Sequence, residues 1–244
     1  MKTFLMLCLV ALITGNTTAF AQKDLSDVIG VKTEKITEVN SSKNSLWINA
    51  HTWANAVSTQ FEKRIDTEDK ESGTMILTIE ANIPTDAGMN EYSKIKATMN
   101  LKIDCRENKY RSVFSNFTAS ISPDRNVNVD YLTEKQLDGM VQELNRIAQL
   151  SEKYFNQKML WGIDDILSVK DNRIKQVNDY EQEITMLDAE SKKGKKEINK
   201  RQVWIKLINE REIAYLDCIL TGFGKIVSTL QEDLDKNMNV SDDF

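Results

Sequence analysis

The chain has 244 residues, a formal net charge of −5 and 41% hydrophobic residues. Because it contains only nine glycines and two prolines, its composition argues against a disordered protein and against a β-sandwich with many turns. The acidic balance also argues against nucleic-acid binding, which requires lysine and arginine to neutralise phosphates.

The N-terminus has the features of a secretory signal peptide. Lys2 precedes the ten-residue apolar run Phe4–Ile13, and Ala19 and Ala21 are small residues at the spacing that signal peptidase reads. A ten-residue helix is about 15 Å long, which is too short for a hydrocarbon core of roughly 30 Å. We therefore predict a signal peptide over residues 1–21, cleaved after Ala21. The mature chain is predicted to be secreted or periplasmic, with no transmembrane segment.

The next part of the chain alternates mainly with a period of two, which predicts β-strands. In TMILTIEANIP (74–84) and KIKATMNLKIDCR (94–106), every second residue is apolar. RENKYRSVFSNFTASISP (106–123) also alternates, but large apolar side chains occur in both of its phases. Ser72-Gly73 and residues 107–109 are predicted to be turns between strands.

Two segments with helical spacing accompany these strands. SKNSLWINAHTWANAVSTQF (42–61) has apolar residues three and four apart, as an amphipathic helix does. A second such segment (133–160) opens with Thr133 and Gln136 as a capping box. The order of strand, helix, antiparallel strands and helix predicts an α+β domain over residues 22–160, with both helices on one face of the sheet.

The remaining residues, 161–244, have a separate helical pattern. Apolar residues recur three and four apart on both sides of SKKGKK (191–196), which predicts a long coiled-coil-like helical hairpin that reverses near Gly194. A single bent helix is the alternative, because a glycine costs a helix only about 1 kcal/mol.

Residues from about 28 to 124 resemble the secreted bacterial proteins grouped as domain of unknown function 4468, a family with a TATA-binding-protein-like (TBP-like) fold. Leu46 and Trp53 in SKNSLWINAHTWANAV occupy positions similar to those in the first helix of that family. Tyr110-Arg111 in IDCRENKYRSVFSNF follows the turn as in a strand of the family. The resemblance implies a TBP-like antiparallel sheet with two helices on one face. It implies no activity and no catalytic residues.

The mature chain keeps two cysteines, Cys105 and Cys218. Export would permit a disulfide between them, which would stabilise the fold by about 4–5 kcal/mol in the chain-entropy description. Alternatively they are two small buried apolar residues on different elements. The sequence alone does not decide between these alternatives.

The sequence provides poor signals for catalysis. His51 is the only histidine, and no second metal-binding histidine, nucleophile elbow or glycine-rich phosphate loop accompanies it. Adjacent carboxylates such as Asp164-Asp165 point in different directions on a helix, so they make a poor acid–base pair. We therefore predict no catalytic residues, no metal and no cofactor.

Three apolar side chains are predicted to form a protein-contact face. Tyr110 and Phe114 share a phase of their strand that is otherwise polar, and that phase matches Ile76 in the neighbouring strand. If two helices cover the inner face of the sheet, this outer patch requires another partner: the C-terminal hairpin, a second copy or another protein.

The segment KKGKKEINKR is strongly basic. Its six basic residues are Lys192, Lys193, Lys195, Lys196, Lys200 and Arg201. One interpretation is contact with an anionic lipid, glycan or nucleic acid, and the other is a solvated tip of the hairpin.

The sequence thus predicts an exported binding or structural protein of the bacterial envelope. It would act through protein–protein contacts with an unknown partner or with itself, and it would not bind nucleic acid. The alternative is a periplasmic hydrolase whose site is assembled from scattered carboxylates or serines.

Overall fold

The structure, a computed structural model, describes residues 32–83, 93–123, 132–154 and 160–239. Its elements occur in the order β1 (Lys32–Glu38), α1 (Lys43–Asn55), β2 (Phe61–Asp69), β3 (Thr74–Asn82), β4 (Ser93–Arg106), β5 (Lys109–Pro123), α2 (Glu134–Tyr154), β6 (Leu160–Gly162), α3 (Ile163–Thr185), α4 (Lys192–Leu207), the π-helical segment Ile208–Ile213 and α5 (Ala214–Met238). The predicted α+β fold class is confirmed. The predicted signal peptide, residues 1–21, lies outside the described residues.

The strands form one six-stranded antiparallel sheet in which β1, β5, β4, β3 and β2 are neighbours in that order, and β6 pairs with β5. Gly73, with φ +75°, lies in the turn from β2 to β3, and Asn108, with φ +59°, lies in the turn from β4 to β5. The turns predicted at these two positions are confirmed. A Cβ atom on Gly73 would also lie 2.5 Å from the carbonyl oxygen of Cys105, so this turn requires glycine.

One face of the sheet, called here the inner face, holds the hydrophobic core. The alternating apolar residues of β3 and β4 are buried on it, as predicted. These residues are Met75, Leu77, Ile79, Ala81, Ile95, Ala97, Met99, Leu101, Ile103 and Cys105. Helix α1 packs on this face through Leu46, Ala50 and Trp53. Its N-cap is Ser42, whose hydroxyl accepts a hydrogen bond of 3.1 Å from the amide of Ser45.

The second helix that packs over the inner face is α5, at the end of the chain. Phe223 of α5 meets Phe117 of β5 edge-on, with the ring centroids 5.6 Å apart. At Gly222 the helix approaches so closely that an added Cβ would lie 2.2 Å from Cγ2 of Ile83. The indole nitrogen of Trp53 in α1 donates a hydrogen bond of 2.7 Å to a carboxylate of α5. The two helices therefore pack together and on the sheet.

Helix α2, which the chain order places beside α1, buries far fewer apolar residues than α5 does. Its capping box is confirmed, since the Gln136 carboxamide accepts from the Thr133 amide at 3.0 Å. Ile147 and Leu150 of α2 join the core, but Leu137 and Val141 remain 44% and 50% exposed. Helix α5 is therefore the second helix over the sheet in place of α2, and the predicted arrangement of two helices on one face is confirmed. Both α2 and α5 are amphipathic, and spacing along the chain does not determine which apolar stripe packs on the sheet.

The C-terminal helices begin as the predicted hairpin. Helix α3 packs against α4, and the chain reverses between residues 185 and 192, with Gly194 in the first turn of α4. The π-helical segment then leads directly into α5 on the sheet. One hydrophobic core therefore extends from α1 through the sheet to α5. The domain boundary near residue 160 stays a prediction, but it does not separate two cores.

Among the described residues, one helix is long and apolar enough to cross a membrane when judged by length and composition alone. It is the continuous stretch from Lys192 to Met238, and half of its apolar window is buried inside the protein. Core helices of globular proteins meet the same criterion, so the predicted absence of a transmembrane segment in the mature chain stays a prediction.

Candidate functional site

A β-bulge in β5 changes which residues of this strand face the core. The pairing of β4 with β5 shifts between Thr98 and Asn100, where β5 has one extra residue, Asn116, with φ +55°. An extra residue reverses the alternation of a strand. Large apolar residues before and after the bulge therefore face the same side. These residues are Tyr110, Phe114, Phe117, Ala119 and Ile121.

The prediction that Tyr110 and Phe114 share an outer face with Ile76 is wrong. Both aromatic residues lie on the inner face and are only 1% exposed, whereas Ile76 lies on the opposite face, called here the outer sheet face, and is half-buried. Val113 also lies on the outer sheet face, because it pairs with Lys102, although it is buried there. The error arises because one alternation phase was applied along the whole of β5.

Tyr110 instead belongs to a partly buried polar network that attaches α5 to the sheet. Its hydroxyl donates a hydrogen bond to the carboxylate of Asp235 in α5. Lys35 of β1 and the side-chain amide of Gln231 each donate to the same carboxylate at 2.6 Å. Gln231 in turn accepts a hydrogen bond of 2.5 Å from the hydroxyl of Ser112. The network thus joins β1 and β5 to the last turns of α5.

The electrostatics of this network indicate a structural role. Burial alone would raise the pKa of Asp235, but the hydrogen bonds from Lys35, Tyr110 and Gln231 hold it below its ordinary value. Burial, with the hydrogen bond to Asp235, raises the pKa of Tyr110. Tyr110 is therefore a neutral donor to an ionised carboxylate at neutral pH.

Replacing Asp235 by asparagine is expected to lower the free energy of unfolding at pH 7 by about 1–3 kcal/mol, because charged hydrogen bonds are lost. A pKa that is lower in the folded state stabilises the protein above the unfolded value of about 4, and this contribution is lost as the pH falls through the folded-state pKa. The difference between wild type and Asp235→Asn should therefore shrink in urea titrations from pH 7 towards pH 3. The exposed Asp138→Asn variant is the control. A difference that stays constant with pH would contradict this assignment.

The outer sheet face carries a network of paired charges. The carboxylate of Asp104 accepts hydrogen bonds from Thr74 at 2.9 Å and from Nε of Arg111 at 3.0 Å. It also lies 3.0 Å from the ammonium group of Lys102. Burial would raise the pKa of Asp104, but these hydrogen bonds hold it below its ordinary value. Arg111 also lies 3.5 Å from the carboxylate of Glu34.

Similar pairing continues towards β2. Lys96 pairs with Glu80, and this hydrogen bond raises the pKa of Lys96. Asp66 accepts a hydrogen bond of 3.0 Å from Nε of Arg64 and one of 2.5 Å from the hydroxyl of Thr78. These cations of the outer sheet face are therefore paired with carboxylates of the same strand or of a neighbouring strand.

Apolar side chains lie among these charges. Ile36 of β1 is 62% exposed, and Ile76 and Val113 flank Lys102 in one row across β3, β4 and β5. The alternate residues of β3 on this side all remain partly exposed. This broad polar surface, on which Ile36 is exposed, Ile76 is half-buried and Val113 is buried at 6% exposed, is the candidate functional site. The change of apolar phase in the sequence around Asn116 was the signal that could have identified Val113 as part of it.

The predicted basic cluster divides into two parts. Arg201 belongs to the hairpin, because it lies 2.6 Å from a carboxylate oxygen of Glu183 in α3 and 3.0 Å from one of Glu197 in α4. Five exposed lysines make up the remainder. They are Lys192, Lys193, Lys195, Lys196 and Lys200, and they take part in no ion pair with the described residues.

The groups considered for catalysis occupy structural positions. His51 stacks on Trp47 with the ring centroids 5.0 Å apart. Across residues 32–83, 93–123, 132–154 and 160–239, no group of three or more His, Cys, Asp and Glu side chains is placed to hold a metal ion. Cys105 and Cys218 do not form a disulfide. Burial raises the pKa of the Cys105 thiol to about 12, so at neutral pH it is not a thiolate nucleophile.

An antiparallel sheet with two helices on one face is the arrangement of a TBP-like α+β domain. Residues 33–120 match the family described as "Domain of unknown function (DUF4468) with TBP-like fold". The match spans the segment from β1 through most of β5, and the resemblance inferred from its sequence is confirmed. The helices that follow lie outside the match.

Two solved structures are similar to this chain. A TBP-like protein from Parabacteroides distasonis is 13% identical, with a TM-score of 0.43 over 86% of this chain and 94% of the other. A DUF4468 family protein from Bacteroides ovatus is 11% identical, with a TM-score of 0.33 over 50% of this chain and 85% of the other. No curated protein matches the chain.

Proposed function

We propose that this chain is an exported, non-enzymatic binding or structural protein of the bacterial envelope, and that it binds a protein partner or a second copy through its outer sheet face. The observation that carries the proposal is the outer sheet face itself, which remains partly exposed while the inner face is buried under α1 and α5. Export is supported by the signal-peptide features of residues 1–21.

The chemistry of the outer sheet face suits a protein partner better than a nucleic acid. Binding to a phosphate backbone requires cations that are free to neutralise it. Here Lys96, Lys102 and Arg111 are already paired with carboxylates. Protein interfaces, in contrast, combine apolar contacts with hydrogen-bonding groups. The outer sheet face offers both, because Ile36 and Ile76 lie among its charged residues.

The hydrolase alternative has less support. A serine nucleophile requires an adjacent base and access for a substrate. The hydroxyl of Ser112 donates to the carboxamide of Gln231, and that of Ser93 donates to the carboxylate of Glu143. Ser93, Ser112 and Glu143 are all buried, so neither serine is presented to a substrate from the described surface.

The test compares two double variants of the mature chain in affinity capture from an envelope fraction. Ile36→Ser with Ile76→Ser changes the outer sheet face. Ile48→Ser with Leu137→Ser removes two partly exposed apolar side chains from helices and serves as the matched control. We expect a specific partner to be retained by wild type and by the control and to be lost by the outer-face variant. Light scattering on the same three proteins tests for self-association.

Equal capture and equal mass for all three proteins would contradict the proposal. Circular dichroism and urea unfolding establish that the variants remain folded, because substitutions of exposed residues usually change stability by only about 0.5 kcal/mol. Turnover of an ester or peptide substrate by wild type would favour the hydrolase alternative.

A further inference from the structure

We propose that α4 is a contact site for anionic lipid surfaces, with its exposed lysines on the headgroups and Trp204 at the interface. This surface is distinct from the outer sheet face, and the inference does not depend on the function proposed for that face. It goes beyond the sequence pattern, which left open whether the basic segment is a contact site or a solvated tip.

The charge of α4 is opposite to that of the chain as a whole. Residues 192–207 contain seven lysine and arginine residues and one glutamate, whereas the full chain has a net charge of −5. The glutamate, Glu197, and one of the cations, Arg201, already pair with each other. The five lysines from Lys192 to Lys200 have no such partner among the described residues. Their charge is therefore available to an external anion.

The position of these lysines is unfavourable for the helix itself. Ser191 caps α4 by accepting a hydrogen bond of 2.9 Å from the amide of Gly194, and no acidic residue occurs in the first turn. Cations at this end oppose the helix dipole and so destabilise the helix. Stability alone would favour Asp or Glu at Lys192 and Lys193. Residues that destabilise their own helix and have no stabilising partner within the protein are expected at functional surfaces.

The lysines continue into an exposed apolar patch on the same side of α4. Lys193, Lys196 and Lys200 are three and four residues apart, and Val203 and Trp204 continue this spacing, so these five residues form one strip along the helix. Val203 is 50% exposed and Trp204 is 49% exposed. We call these five residues the α4 strip. A different side of the helix, which includes Arg201, packs against α3, so the strip stays exposed.

This combination favours a bilayer over other anionic partners. Lysines are attracted to anionic headgroups, and tryptophan prefers the boundary between headgroups and acyl chains. A helix with a cationic part and an exposed tryptophan can lie in that boundary. A nucleic acid would account for the lysines, but it would leave the exposure of Val203 and Trp204 without a reason. The alternative that this segment is only a solvated tip of the hairpin also gives no reason for the exposure of these two apolar residues.

The experiment measures binding of the mature chain to vesicles made of equal parts of phosphatidylcholine and phosphatidylglycerol. We expect binding at low salt that weakens at high salt, and no binding to pure phosphatidylcholine. The triple variant Lys193→Gln, Lys196→Gln, Lys200→Gln should bind about 100-fold more weakly, since each lysine near a charged membrane contributes about a factor of five. The control replaces three other exposed lysines, Lys109, Lys135 and Lys236, by glutamine and should bind almost as wild type does.

Tryptophan fluorescence tests the apolar half of the strip. Trp53 and Trp161 are 1% and 0% exposed, and the partly buried Trp47 stacks on His51 of α1. A blue shift of Trp204 on vesicle binding is therefore identified by its loss in Trp204→Phe. The proposal would be overturned if wild type failed to bind the anionic vesicles, or if the two triple variants bound equally. A Trp204 signal unchanged during binding, or binding to a DNA duplex without binding to vesicles, would also overturn it.

Discussion

Replacing Phe114 by alanine is expected to lower the free energy of unfolding by about 3–5 kcal/mol, the usual cost of removing a buried phenylalanine. Phe114 is 1% exposed on the inner face. Phe117 is 2% exposed, and Phe117→Ala should have an effect of similar size. Urea unfolding monitored by circular dichroism measures both. The pair is informative because residues three apart in a regular strand lie on opposite faces.

Large effects at both positions therefore require the bulge at Asn116. Thr118→Ala, on the partly exposed outer sheet face of the same strand, is the control and should change stability by only about 0.5 kcal/mol. If Phe114→Ala were nearly neutral while Phe117→Ala remained costly, β5 would be regular and the original assignment of Phe114 to the outer face would be restored.

Ending the chain after Ile213, which removes α5, is expected to abolish folding of the sheet. Helix α5 buries ten apolar side chains: Tyr215, Leu216, Ile219, Leu220, Phe223, Ile226, Val227, Leu230, Leu234 and Met238. At about 1.5–3 kcal/mol each, their burial contributes roughly 15–30 kcal/mol, which exceeds the net stability of about 5–15 kcal/mol of a typical domain. Thermal unfolding and amide exchange should therefore show no cooperative transition.

The control for this truncation ends the chain after Asn239, the last described residue, and retains α5. It should unfold cooperatively. The same comparison tests the predicted domain 22–160, which lacks α5 as well as the hairpin. Cooperative unfolding of residues 22–160 would show that the sheet is an independent domain and would contradict the single core inferred here.

The buried face could be predicted from the sequence for strands in which every second residue is apolar along the whole strand. In β3 and β4 the alternation identified the buried face correctly because no residue interrupts it. In β5 the same reasoning failed at Asn116, since the phase of a strand is defined only between bulges. Of the three residues proposed for the contact face, Ile76 lies on the outer sheet face and Tyr110 and Phe114 do not.

Long-range packing was harder to predict than local structure. The capping box at Thr133 and the turn at Asn108 depend on neighbouring residues, and both are confirmed. The choice of α5 over α2 as the second covering helix depends on contacts such as Trp53 with Asp233, 180 positions apart. The pairing of Arg201 with Glu183 likewise depends on how the hairpin aligns α3 with α4.

The helical backbone is continuous from Lys192 to Met238, a length of about 70 Å at 1.5 Å per residue. Its first part carries the α4 strip and its last part lies against the sheet, so no flexible linker separates the two surfaces. If α4 rests on a bilayer, this rod would fix the height and the tilt at which the outer sheet face meets its partner. A partner of fixed length could then engage the sheet only at one distance from the membrane.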